Sequence, residues 1–213
     1  MKKEFYRRNL PHYQPLGGEF FVTYNLADAI PLKVLKEWNK ELEVKRKSIM
    51  LFSKNQEEDL EKLEKLDFAK RDKYLDSAVS GEKLLCNDNL ARIVAESLHY
   101  WDTKILDLIA YCIMSNHVHV VFRLYNENEL DKPKYLEEVM HSIKRYSANK
   151  CNSVLLKSGK FWQHESYDRL VRNENELFRI ILYIAQNPVK AGITESPLEY
   201  KWTYISDRFK NLI

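Results

Sequence analysis

The chain has 213 residues, 45% hydrophobic and 31% charged, with only five glycines and six prolines. That length suits one medium folded unit, or one unit with a large insertion, and the composition excludes a disordered or fibrous chain. The net charge of +3 excludes nothing by itself, but no apolar run is long enough for a membrane-spanning helix.

The charge is unevenly spread. Residues 141–213 hold 12 Lys and Arg against 7 Asp and Glu, a balance of +5, and residues 1–140 balance at −2. A basic C-terminal part is compatible with a polyanionic partner, although a solvated basic face explains it equally well. The N-terminus has basic residues with no apolar stretch after them, so it does not read as a secretory signal. Three cysteines without CxxC spacing argue against a disulfide frame or a zinc ribbon, and a reducing, cytoplasmic compartment is expected.

Residues 1–18 are basic and turn-rich and end in Gly17-Gly18. Glu19–Asn25 (EFFVTYN) is aromatic and β-branched and predicts a strand. Pro31 then opens a helical stretch, with Leu32, Val34, Leu35, Trp38 and Leu42 at roughly helical spacing. From Glu41 to Asp76 the sequence is dense in Glu and Lys, with Leu60, Leu63, Leu66, Tyr74 and Leu75 as the apolar stripe. Glu61 and Lys65 form a supporting pair four apart. This reads as a helical hairpin projecting from the core, an insertion at about 37–80 with no nameable chemical residue. Gly81 ends it.

Asn87 or Asn89 caps a helix over Leu90–Tyr100. Two apolar runs follow, Ile105–Ile113 and Val118–Leu124, separated only by Met114-Ser115-Asn116-His117, which predicts an antiparallel hairpin. Asp131–Cys151 is helical, Lys157–Lys160 is a loop, and Tyr167–Val171 is a short strand. Glu174–Asn187 is a helix stopped by Pro188. Without the insertion the order approximates βαββαβ. The predicted fold is therefore α+β, with a ferredoxin-like core, an antiparallel sheet and one long helical insertion after the first strand.

Two constellations carry chemistry. On a strand, residues i and i+2 share a face, so His117 and His119 project together with Val118 opposite. Paired imidazoles begin a divalent-metal site, and they also suit a hydrogen-bonded pair on a half-buried sheet. In the last helix Tyr183 and Asn187 lie four apart on one face, with Glu176 and Arg179 extending the stripe. Leu177, Ile181 and Ile184 occupy the core face, so Tyr183 suits a phenol exposed in a cleft or a packed amphipathic ring. The Asn187 carbonyl could supply a further oxygen donor to a metal. A phenol needs a metal or a base nearby to act as a nucleophile.

At these residues the chain resembles the REP-associated tyrosine transposases, single-tyrosine HUH transposases of the bacterial insertion-sequence type. Arg8-Asn9-Leu10-Pro11-His12, with Glu19–Tyr24, is similar to their opening. Tyr111–His119 resembles their MPNHVH signature, with Ser115 in place of the usual proline. Phe161-Trp162-Gln163 and Tyr167-Asp168-Arg169 resemble a WQ…YD segment, and Tyr183–Gly192 resembles YIxxNPVKAG.

The resemblance implies His117, His119 and Asn187 as ligands of Mg²⁺ or Mn²⁺, and Tyr183 as the nucleophile. It implies a 5′-phosphotyrosine intermediate in the cleavage and transfer of single-stranded DNA at palindromic repeat hairpins. Some such enzymes are homodimers. Candidates for holding DNA are Arg7, Arg8, His12, Lys144, Arg145, Lys150, Trp162, Arg169 and Arg172, by phosphate pairing and aromatic stacking. Two alternatives are a metal-dependent nuclease using activated water and a catalytically silent binder of palindromic DNA.

Overall fold

The structure is a computed structural model that describes residues 5–7 and 11–213, with side chains from Tyr13 onward except that of Leu212. Arg8 lies outside the described residues, as do the side chains of Arg7 and His12.

The described strands are β1 (Phe5–Arg7), β2 (Pro11–Tyr13), β3 (Glu19–Asn25), β4 (Leu106–Ile113), β5 (His117–Leu124), β6 (Tyr167–Leu170) and β7 (Thr203–Ile205). The helices are α1 (Leu32–Phe52), α2 (Gln56–Ser77), α3 (Asp88–His99), α4 (Leu136–Leu155) and α5 (Glu174–Lys190). Five strands form one antiparallel sheet in the order β6-β3-β5-β4-β7. Counting β3, β4, β5 and β6 as first to fourth, the sheet runs fourth, first, third, second, which is the ferredoxin-like arrangement. β7 adds an edge strand beyond it. β1 and β2 pair with each other in a two-stranded ribbon.

Strand alternation divides the core into two layers. Phe20, Val22 and Tyr24 of β3 and Val118, Val120 and Phe122 of β5 pack with Leu90 and Val94 of α3 and Val139 and Ile143 of α4. Phe21 and Val121 face the other way and pack with Leu177, Ile181 and Ile184 of α5. β4 keeps both faces apolar by a β-bulge between Leu108 and Ala110, which resets its alternation. One buried layer therefore lies under α3 and α4, and the other lies under α5.

Several element boundaries differ from the sequence expectation for physical reasons. α4 starts at Leu136 rather than Asp131, because Pro133 disfavours helix before it and the Glu138 carboxylate accepts the Tyr135 N–H. α5 runs through Pro188 to Lys190. Pro188 removes a single amide from the ladder, and the helix closes only where the Gly192 and Ile193 amides donate back to Val189 and Pro188, with Gly192 at φ +68°. Leu66 is exposed and does not belong to the apolar stripe of α2.

α1 and α2 form the expected helical hairpin, with a small core of Leu42 and Leu63. It does not project into solvent along its length, because α2 lies down on the α5 face of the sheet. Phe68 meets Phe21 edge-on at 5.6 Å. Behind it Gly81 holds φ +74°, and a Cβ there would fall 2.5 Å from the Asp28 carbonyl oxygen, so the hairpin's two ends meet tightly.

Candidate active site

The register of β3 against β5 sets Thr23 opposite His119 and Asn25 opposite His117. Both imidazoles point into the α5 layer and are fully buried. Their Nε2 atoms lie 3.0 Å apart. Each Nδ1 is held from behind. That of His117 donates to Asn116 Oδ1 at 2.7 Å, which leaves Nε2 with its lone pair free to bind a metal. That of His119 pairs with Thr23 Oγ1 at 2.7 Å. Burial, with the charge of His119, holds His117 well below its ordinary pKa. Burial and nearby Lys190 hold His119 down at about 3. Both rings are therefore neutral at physiological pH, the form that ligates a cation.

The helical hairpin, expected to hold no nameable chemical residue, brings two carboxylates to the His pair. Asp72 and Asp76, one turn apart on α2, face the imidazoles. Asp72 Oδ1 is 3.3 Å from His119 Nε2, and Asp76 Oδ1 is 3.6 Å from His117 Nε2. One ligand atom from each of these four residues fits within 4.8 Å of the others. Burial and the neighbouring Asp72 raise the Asp76 carboxyl from 3.8 to about 7, and burial raises Asp72 as well. Asn116 links the two halves, because its amide also donates to the Leu75 carbonyl of α2 at 3.1 Å.

Tyr183 closes the group on the α5 side. Its ring lies edge-on to His119 at 5.3 Å, to Phe21 at 5.9 Å and to Phe68 at 6.0 Å, with the Lys190 ammonium 4.7 Å above it. The hydroxyl adjoins Asp72 and Asn187 without a well-formed hydrogen bond to either. Of the two readings of the helix pattern, an exposed phenol or a packed ring, the ring is packed, and its hydroxyl is buried as well. Burial and the charge of Asp72 push its pKa well above the ordinary phenol value. Asn187 is fully buried, and its amide donates to the Tyr183 carbonyl at 3.3 Å, leaving Oδ1 unpaired.

Buried oxygens without a hydrogen-bond partner are rare, and here Asp72 Oδ1, Asp76 Oδ1, Asn187 Oδ1 and the Tyr183 hydroxyl cluster around two neutral imidazoles. Mixed nitrogen and oxygen donors of this kind fit a divalent cation.

This His pair, Tyr183 and Asn187 lie in the stretch, residues 70–187, that matches the model of the IS200-like transposases. The chain belongs to the IS200-like transposase family. A putative REP-associated tyrosine transposase of Haemophilus influenzae is 26% identical over 105 residues, which are 47% of this chain and 58% of that protein. The chain thus matches little more than half the length of that relative. Among solved structures, that of a REP-associated tyrosine transposase bound to a REP hairpin aligns over 100% of this chain and 88% of its own. It shares 16% identity at a TM-score of 0.56, a likeness of fold.

The remaining site candidates of this IS200-like transposase separate cleanly. Trp162 is buried, T-shaped against Tyr24 at 4.8 Å, and its indole N–H donates to Ser147 Oγ at 3.0 Å, so it belongs to the core and not to a stacking surface. The Lys144 ammonium donates to the carbonyls of Gln163 and His164 and to Ser166 Oγ, which fastens the 163–166 loop to α4 and occupies the charge expected for phosphate. Arg145 and Lys150 are exposed on α4. Arg169 pairs with Glu61 and Glu176, and Arg172 pairs with Glu61.

Asp72, Asp76, Thr23 and Asn116 were not singled out from the sequence. Asp72 and Asp76 do carry a faint signal: two acids four apart at the end of an otherwise mixed-charge helix. Their burial is visible only in the packed structure.

Proposed function

We propose that this chain cleaves and rejoins single-stranded DNA at palindromic hairpins through a covalent tyrosine intermediate. The observation that carries the reading is the packing of Tyr183 against His119 beside a four-residue donor set with unpaired buried oxygens. His117, His119, Asp72 and Asp76 would hold Mg²⁺ or Mn²⁺, with Asn187 beside them. Bound there, the ion would polarise the scissile phosphodiester and stabilise the charge that develops on it.

The chain's own groups account for the rest. Asn116 and Thr23 orient the two imidazoles. Phe21 and Phe68 fix the phenol ring edge-on. The Tyr183 oxygen attacks phosphorus, forming the 5′-phosphotyrosine bond, and the P–O3′ bond breaks to leave a 3′-hydroxyl. The phenolic proton passes to the adjoining Asp72 carboxylate, and the protonated Asp72 then gives that proton to the departing 3′ oxygen. The 3′-hydroxyl of the same or another strand later reverses the step. The phosphodiester energy is kept in the tyrosyl ester, so no nucleotide is consumed. Hairpin DNA as partner is supported by the hairpin-bound protein that shares this fold. Arg145, Lys150, Arg169 and Arg172 are the candidate cations for its phosphates. The three free cysteines suit a cytoplasmic setting.

The test is incubation with labelled hairpin-bearing single strands and Mn²⁺, followed by denaturing electrophoresis. A protein–DNA adduct should form with the wild-type chain and vanish in Tyr183→Phe and in His119→Ala. Cutting that persists in Tyr183→Phe without an adduct would instead indicate hydrolysis by water. Metal-independent binding with no cutting at all would indicate a silent binder.

A further inference from the structure

A cleft of about 330 Å³ opens beside Tyr183 between α2, β6 and α5. Its walls carry four cations, Lys65, Arg169, Arg172 and Arg179, and its floor is aromatic, with Phe68 and Tyr183. Two carboxylates sit among the cations, Glu176, which among the described residues pairs with Arg169 alone, and Glu61, on which three cations converge. Glu61 of α2 accepts from Arg172 at 2.8 Å, from Arg169 at 3.3 Å and from Lys65 at 2.9 Å. Lys65 and Arg172 hold its carboxyl down at about 2. Among the described residues Arg179 is paired with no carboxylate and is exposed.

We propose that this cleft carries the phosphate backbone of the single strand to Tyr183, and that Glu61 keeps it shut as an intramolecular stand-in for phosphate. This rests on the strand-transfer reading above for what lies at the cleft's end. Two guanidinium groups and an ammonium converging on one anion match a phosphodiester as well as a carboxylate, because both present paired oxygens to the fork of Arg. Aromatic faces beside a basic track are the means by which proteins hold single strands without reading their sequence.

The Glu61 contacts are partly exposed, so they cost little to break. Breaking them also acts on the nucleophile. Glu61, Lys65, Phe68, Asp72 and Asp76 recur every three to four residues and form one stripe of α2. A strand that displaces Glu61 therefore loosens the same helix that covers the Tyr183 hydroxyl.

The test is equilibrium binding of a fluorescein-labelled single strand of mixed sequence across a series of salt concentrations. The full-length chain would carry Tyr183→Phe, so that no covalent step contributes. Glu61→Gln should bind about tenfold tighter, and Arg172→Gln should bind weaker, with a salt slope shallower by about one. The gain from Glu61→Gln should disappear in the presence of Arg172→Gln. Glu58→Gln removes the same charge from the same helix, where among the described residues Glu58 pairs only with exposed Lys62, and should leave binding within about twofold. Unchanged or weaker binding by Glu61→Gln would overturn the inference. So would a gain of equal size in Glu58→Gln, or one that survives Arg172→Gln. The binding assay reads no chemistry, so a wild-type chain that forms no adduct would sink the strand-transfer reading and leave the cleft result standing.

Discussion

Replacing Asp76 by Asn should stabilise the metal-free protein and weaken its response to metal, two effects of opposite sign at one position. Asp76 is half-buried beside Asp72 and the imidazoles, its Oδ1 is buried without a hydrogen-bond partner, and its carboxyl is raised from 3.8 to about 7. A carboxyl with a raised folded-state pKa leaves the folded state at full stability while protonated, and that stability drains away as pH rises from 3.8 through about 7. The loss reaches about 2 kcal/mol near pH 5 and about 4 kcal/mol near pH 8. An amide has no such charge to bury.

In excess chelator at about pH 8, Asp76→Asn should therefore melt higher than the wild-type chain by about 10 °C, at roughly 2–4 °C per kcal/mol for this size, and the gain should shrink near pH 5. Added Mn²⁺ should raise the melting temperature of the wild-type chain more than that of the variant, because the variant offers the ion a neutral amide. Differential scanning calorimetry of both proteins in chelator and in Mn²⁺, at both pH values, reads these shifts. Equal metal-induced shifts in the two proteins, or a destabilised variant in chelator at the higher pH, would refute the placement of Asp76 as a charged donor to the site.

Three further outcomes are expected. Asn116→Ala removes the acceptor for His117 Nδ1 and the donor to the Leu75 carbonyl, both buried; chemical denaturation should show a loss of about 2–3 kcal/mol, and Mn²⁺ titration a drop in affinity of about 10–100-fold. Trp162→Ala should cost about 3–5 kcal/mol of stability by leaving a cavity against Tyr24, while DNA affinity, measured per folded molecule, stays unchanged. Phe68→Ala should uncover the Tyr183 ring, read as faster hydrogen exchange at amides of α2 with the amides of β5 still protected.

Much of the fold was legible because its periodicities are strong. The alternation of Phe20, Val22 and Tyr24 against Phe21 and Thr23 marks a two-faced strand, and the three-residue gap between Ile113 and His117 leaves room only for a hairpin. The His pair was legible for the same reason, since strand parity alone puts both rings on one face. Tyr183 and Asn187 followed from helical spacing. What the sequence hid is tertiary. Asp72 and Asp76 sit in a segment whose composition reads as solvated helix, and nothing local says that α2 turns them inward. Lys144 and Trp162 look like nucleic-acid contacts by residue type. Their partners, backbone carbonyls about twenty residues later and the Ser147 hydroxyl fifteen residues earlier, exist only once the chain is packed. β7 is three residues long, too short to show a period.

The tight meeting of Gly81 with the Asp28 carbonyl means that the hairpin leaves and re-enters the core at nearly one point. By connectivity it looks like a cassette that could be excised and its ends sealed with a short turn. The chemistry forbids this, because the excised piece holds both carboxylates of the site and the carbonyl that orients Asn116. A trimmed core would keep the sheet, both imidazoles and the tyrosine, yet it would have lost its anionic donors and the cover over the phenol. Such a minimal protein would be a tool for separating the proposed recognition of DNA from the proposed reaction on it.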